Sequence, residues 1–80
     1  MTQVHSLELE VVDSPDVLAR VVAVCHQLGS RIVALHYERA DQPICLVLRV
    51  DADSPHVQRL MLKLSNIVHV VGIRICGLIR

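Results

Sequence analysis

Asp13-Ser14-Pro15-Asp16-Val17 recurs forty residues later as Asp53-Ser54-Pro55-His56-Val57, and the reading of this repeated phrase decides the fold. Each copy opens a helix. A serine hydroxyl at the N-cap can accept a hydrogen bond from an unpaired amide of the first turn, and proline at N1 has no amide to lose and a φ already suited to helix. Asp13 or Asp53 can share the capping role, which moves the boundary by a residue or two. After the first copy, Val17, Leu18, Val21, Val22, Val24, Cys25 and Leu28 follow a near-helical spacing broad enough to imply burial on more than one side. Gly29 ends that run, because glycine enters the left-handed region of a C-terminal cap without a Cβ clash. After the second copy, Val57, Leu60, Met61, Leu64 and Ile67 or Val68 form a cleaner stripe opposite Gln58, Arg59 and Lys63.

Strand patterns surround the two helices. Leu7, Leu9 and Val11 alternate with Glu8 and Glu10, the period of a strand wetted on one face. From Arg31 to Glu38 the alternation sets Val33, Leu35 and Tyr37 against Ile32, Ala34 and His36, so burial on both sides is expected. Ala40-Asp41-Gln42-Pro43 has turn chemistry. Beyond it Ile44, Leu46, Leu48 and Val50 alternate with Cys45, Val47 and Arg49, completing a hairpin. Val70 to Ile75 is the last strand, with Val71, Ile73 and Ile75 on one face and Gly72 and Arg74 on the other. The order β-α-β-β-α-β is the ferredoxin-like, split βαβ arrangement of the α+β class. Right-handed crossovers place both helices on one face of a four-stranded antiparallel sheet.

Composition fits one domain, 1–80, that works by association. The chain has 52% hydrophobic residues, above the usual ~45–50%, and only one aromatic side chain, Tyr37. Val, Leu, Ile and Ala make up nearly all of the apolar content, more than a small two-layer core needs, so the excess is expected on a face that another chain covers. Three cysteines, Cys25, Cys45 and Cys76, form an odd set without a C-x-x-C, which argues against a disulfide framework or zinc ribbon. Eight basic and eight acidic residues cancel, leaving no long-range attraction for nucleic acid or an anionic membrane. No leader pattern opens the chain and no apolar run reaches the ~18 residues of a span, so a cytoplasmic location is expected.

Catalytic and metal-binding patterns are missing. The five histidines and three cysteines are scattered, and the adjacent Cys25-His26 cannot present both side chains to one ion on a helix, so no metal site is expected. Three glycines make neither a G-x-x-x-x-G-K-[ST] nor a G-x-G-x-x-G phosphate cradle. Ser14 and Ser54 are accounted for as caps, and Asp13, Asp16, Asp51 and Asp53 sit near the positive ends of helices. RNA-binding sheets of this topology stack bases on strand aromatics, which this chain lacks.

The run Asp13 to Val22 with His26-Gln27-Leu28-Gly29-Ser30-Arg31-Ile32 resembles the first strand-helix-strand unit of ACT domains, amino-acid-sensing modules of biosynthetic enzymes. Val50, Ser54-Pro55, Leu60 and Leu64-Ser65-Asn66-Ile67-Val68-His69-Val70 resemble the helix-to-strand passage of acetolactate (acetohydroxyacid) synthase small subunits, and Ile75-Cys76-Gly77 the close of the short isozyme II type. The resemblance implies a non-catalytic regulatory subunit that binds and activates the large catalytic subunit. Thiamin diphosphate, Mg and FAD would belong to that partner, with no cofactor in this chain. It also implies pairing into a homodimer through sheet or helix edges. The alternative is a free-standing ACT homodimer that binds a small amino-acid effector and regulates another protein. The implied effector and interface positions are Asp13, Ser14, Pro15, Asp16, Val17 and Leu18 on one segment and Gly29, Ser30, Arg31 and Ile32 on the other. Effector-responsive relatives carry a loop glycine and a neutral asparagine where this chain has Asp16 and Arg31. Those two charges are expected to meet across protomers and make the chain poorly responsive to valine.

Overall fold

The computed structural model describes residues 3–38 and 44–79. Its elements are β1 (Gln3–Val11), α1 (Val17–Gln27), β2 (Arg31–Tyr37), β3 (Ile44–Ala52), α2 (Ser54–Ser65) and β4 (Val70–Ile79). The four strands form one antiparallel sheet in the order β2-β3-β1-β4, so the two crossovers place β1 and β3 in the middle and leave β2 and β4 as edges. This is the ferredoxin-like βαββαβ arrangement expected from the sequence. The turn chemistry of Ala40 to Pro43 lies outside the described residues.

The central strands keep strict alternation. Leu7, Leu9 and Val11 on β1 and Ile44, Leu46, Leu48 and Val50 on β3 are buried on the face that the helices cover. Val17, Val21 and Cys25 from α1 and Val57, Leu60 and Leu64 from α2 close over them. Each such leucine or valine contributes about 1.5–3 kcal/mol when removed from water, so this one layer carries the stability.

Both helix starts differ from the serine-capped reading. Asp53, not Ser54, caps α2: its carboxylate accepts a 2.9 Å hydrogen bond from the His56 amide. Ser54 and Pro55 then fall in the first turn, where proline's missing amide costs nothing. α1 begins later in its phrase, at Val17, and Asp16 stands at the N-cap position without a side-chain cap bond. Ser14, two residues before that position, donates to the Asp16 side chain instead. The end of α1 follows the glycine rule in full. Gly29 has φ +71°, its amide donates to the His26 carbonyl at 3.0 Å, and the Ser30 amide donates to Cys25 at 2.9 Å, the paired bonds of a Schellman motif.

The edge strands depart from the simple period of two. On β2 the register to β3 slips between Ile32 and Ala34, so Val33 is an extra, 53% exposed residue. Ile32, Leu35 and Tyr37 are the side chains that pack on the core, and Val33 does not join Leu35 and Tyr37 as the alternation suggested. On β4 two slips occur, opposite Ser6/Leu7 and Glu10/Val11, and the second leaves Val71 60% exposed while Val70 and Ile73 pack inward. β4 also runs past Ile75 to Ile79. Each bulge bends its edge strand and leaves one residue outside the ladder.

Candidate functional site

The segments singled out by sequence lie at opposite ends of the sheet. Asp13 to Asp16 follow Val11, which pairs with Ile44 and Val70, whereas Arg31 pairs with Asp51, itself opposite Val4. With strands rising ~3.4 Å per residue, the two ends are roughly 25 Å apart, so one chain cannot bring Asp16 and Arg31 together.

At the first end, the Asp16 carboxylate is occupied from within its own segment. Ser14 Oγ donates to Oδ1, and Arg20 Nε, one helical turn on, donates to Oδ2 at 2.8 Å. These hydrogen bonds, from Ser14 first and Arg20 second, hold the carboxyl down to about 2. Pro15 is exposed beside them. Val17 is fully buried, and Leu18 is half-buried against the core. The Val12 amide donates to the His69 carbonyl at 2.9 Å, tying this loop to the start of β4.

At the second end, Gly29 makes the turn that launches β2, and Ser30 Oγ lies 2.6 Å from Nε2 of His56 on α2. That bond joins the α1–β2 connection to the start of the other helix. A cleft of about 200 Å³ lies beside it, lined by Gly29, Asp51, Ala52, Asp53 and His56. Arg31 is exposed, and Ile32 packs against the core. His56 holds the place of Asp16 in the repeated phrase, and this departure from the echo is the sequence signal for its separate role.

The open face of the sheet carries a second cluster. Arg74 Nη2 donates to Glu8 Oε1 at 2.7 Å, and Cys76 Sγ donates to Glu8 Oε2 at 2.9 Å. Hydrogen bonds from Cys76, Arg74 and Cys45, in that order, hold the Glu8 carboxyl down to about 2. Cys25, by contrast, is enclosed in the core, and burial pushes its thiol up to about 11. Among the described residues, no three His, Cys, Asp or Glu side chains converge as metal ligands, and no helix is long and apolar enough to cross a membrane.

No family model and no curated protein matches the sequence. Among solved structures, the chain is similar to the ACT domain of GTP pyrophosphokinase of Chlorobium tepidum, with TM-score 0.82 and 13% identity over 94% of this chain and 99% of that one. It is also similar to a homoserine dehydrogenase from Thiobacillus denitrificans, with TM-score 0.79 and 17% identity over 94% of this chain and 17% of that one. A third likeness is to the C-terminal domain of the MgtC protein from Mycobacterium tuberculosis, with TM-score 0.72 and 16% identity over 91% of this chain and 84% of that one. The chain therefore has the fold of ACT domains, and it spans about a sixth of the dehydrogenase.

Proposed function

We propose that the chain is a single non-catalytic regulatory domain that acts by association, pairing with a second copy and binding and activating the large catalytic subunit of an acetolactate synthase. One observation carries the pairing: the two candidate segments sit at opposite ends of one sheet, and two copies laid antiparallel along their β2 edges set the Asp16 end of each against the Arg31 end of the other. Exposed Val33 on β2 and Val22 on α1 are apolar surface on the side where such a partner would lie. The large-subunit assignment is supported by the sequence resemblance of the α2-to-β4 passage. The cofactors of acetolactate formation then belong to that partner.

Asp16 already holds Ser14 and Arg20, so the loop meets an amino-acid effector with its carboxylate occupied, and micromolar valine binding is not expected. The second reading, a free-standing ACT homodimer that senses a small amino acid, draws on the cleft beside Gly29 and His56. Adding the purified chain to separately purified large subunit and assaying acetolactate formation, with and without valine, tests both. Stimulation that valine leaves untouched supports the subunit. No stimulation, together with calorimetric binding of an amino acid to the chain alone, supports the sensor and overturns the first reading.

A further inference from the structure

We propose that Glu8 guards the solvent-facing thiols of the open sheet face: anchored by Arg74, its carboxylate accepts a hydrogen bond from Cys76, with Cys45 on the neighbouring strand, and so withholds the thiolate that electrophiles and oxidants require. The geometry is built across three strands. Antiparallel pairing sets Glu8 of β1 directly opposite Arg74 of β4, and the 2.7 Å bond to Nη2 fixes one carboxylate oxygen. Cys76 is the extra residue where Ser6 pairs with Gly77 and Leu7 with Ile75, and this bulge leaves its thiol 2.9 Å from the other oxygen. Cys45 stands opposite Glu10 on β3, on the other side of β1 from Cys76.

A thiol that donates to an anion is stabilised as S–H, and forming a thiolate there would set two negative charges together. The charged and titratable groups of this face are Glu8 and Glu10 on β1, Arg31 and His36 on β2, Arg49 and Asp51 on β3 and Arg74 on β4, beside the two thiols. Arg74 would favour the thiolate, but Glu8 holds its guanidinium. The Cys76 thiol is accordingly pushed up, chiefly by the bond to Glu8, and the Cys45 thiol is pushed up by burial first and Glu8 second. Two exposed cysteines on an uncovered face invite mixed disulfides and cross-links between copies, and the carboxylate between them slows the first step of that chemistry.

The test is site-resolved alkylation of the full chain by iodoacetamide over a neutral-to-alkaline pH series, read by peptide mass spectrometry in native buffer and in urea. The midpoint of Cys76 labelling is expected at higher pH in the native protein than in the unfolded chain. Glu8→Gln should shift the native midpoint down toward the unfolded one, with a smaller shift at Cys45. Buried Cys25 reports folding, because it stays unlabelled while the core is intact. A native Cys76 midpoint at or below the unfolded one overturns the proposal, as does a folded Glu8→Gln protein with an unmoved midpoint. If Glu8→Gln exposes Cys25, the native-against-unfolded comparison of the unaltered chain decides alone.

Discussion

His5→Leu should stabilise this protein. His5 continues the inward face of β1, two residues before Leu7, and lies between Val50 of β3 and Leu78 of β4 in the ladder. It is only 7% exposed, and its Nε2 has no hydrogen-bond partner among the described residues. A buried polar atom left unsatisfied costs about 1–3 kcal/mol, and leucine fills a similar volume with nothing to satisfy. Allowing some loss to imperfect packing, the net gain is about 1–2 kcal/mol. For 80 residues an unfolding entropy of ~2.1 cal/mol/K per residue gives ~0.17 kcal/mol/K, so the melting temperature should rise by roughly 6–12 °C. Urea denaturation at neutral pH, followed by far-UV circular dichroism at several protein concentrations, separates this gain from any contribution of association. Leu7→Ala, expected to lose about 2–5 kcal/mol at a fully buried site, shows that the assay responds. A midpoint that falls or stays put in His5→Leu would show that the imidazole is satisfied, and the reasoning would fail.

Asp53→Ala removes the only side-chain cap of α2 and should cost about 1 kcal/mol in the same denaturation assay, whereas Ser54→Ala should be near neutral. Gly29→Ala meets no atom within 4 Å but forces a Cβ into φ +71°, so it should cost about 1–2 kcal/mol through the backbone alone. Acid sensitivity follows from the two depressed carboxyls. Glu8 and Asp16 are both held down to about 2, so the stability they contribute is complete above their unfolded values, near pH 4.5 and 3.8, and is lost as pH falls toward 2. Combining Glu8→Gln with Asp16→Asn should flatten the fall in melting temperature over that window. An unchanged slope would count against both clusters.

The central strands and α2 were legible because each buries one face, and a single hydrophobic period then specifies the element, whereas α1 read as apolar on more than one side and leaves Val22 exposed. The edges were less so. The bulges at Val33 and Val71 leave no mark in the alternation of β2 and β4, because what fixes them is the partner's register and not the strand's own residues. The helix starts misled for a related reason: Ser14, Asp13 and Asp16 are all competent caps, and only the path of the chain decides which carboxylate meets which amide. The Glu8 cluster was beyond reach, since Glu8 and Cys76 are 68 residues apart and meet only once β1 and β4 are neighbours. Of the expected site positions, Val17 is fully buried, and Leu18 and Ile32 pack partly on the core, which a site drawn as contiguous segments does not distinguish.

The two copies of the helix-opening phrase have diverged at their fourth residue, and the divergence bears on how two chains would pair. His56 reaches across to Ser30 and joins the two halves of the fold, which holds the Arg31 end fixed relative to α2. Asp16 instead turns back onto Arg20 of its own helix. In the proposed antiparallel pair, Arg31 of one copy arrives beside Asp16 of the other and must compete with Arg20 for the same carboxylate. Arg20→Ala should therefore tighten the pair, because it releases Asp16 to the incoming guanidinium, although an exposed ion pair of this kind is a weak contact in itself. Sedimentation equilibrium over a range of protein concentrations and at two salt concentrations reads the effect, with the gain expected at low salt and fading as the charges are screened. A weaker or salt-indifferent association in Arg20→Ala would place Arg31 away from Asp16 and remove the antiparallel β2 arrangement from consideration.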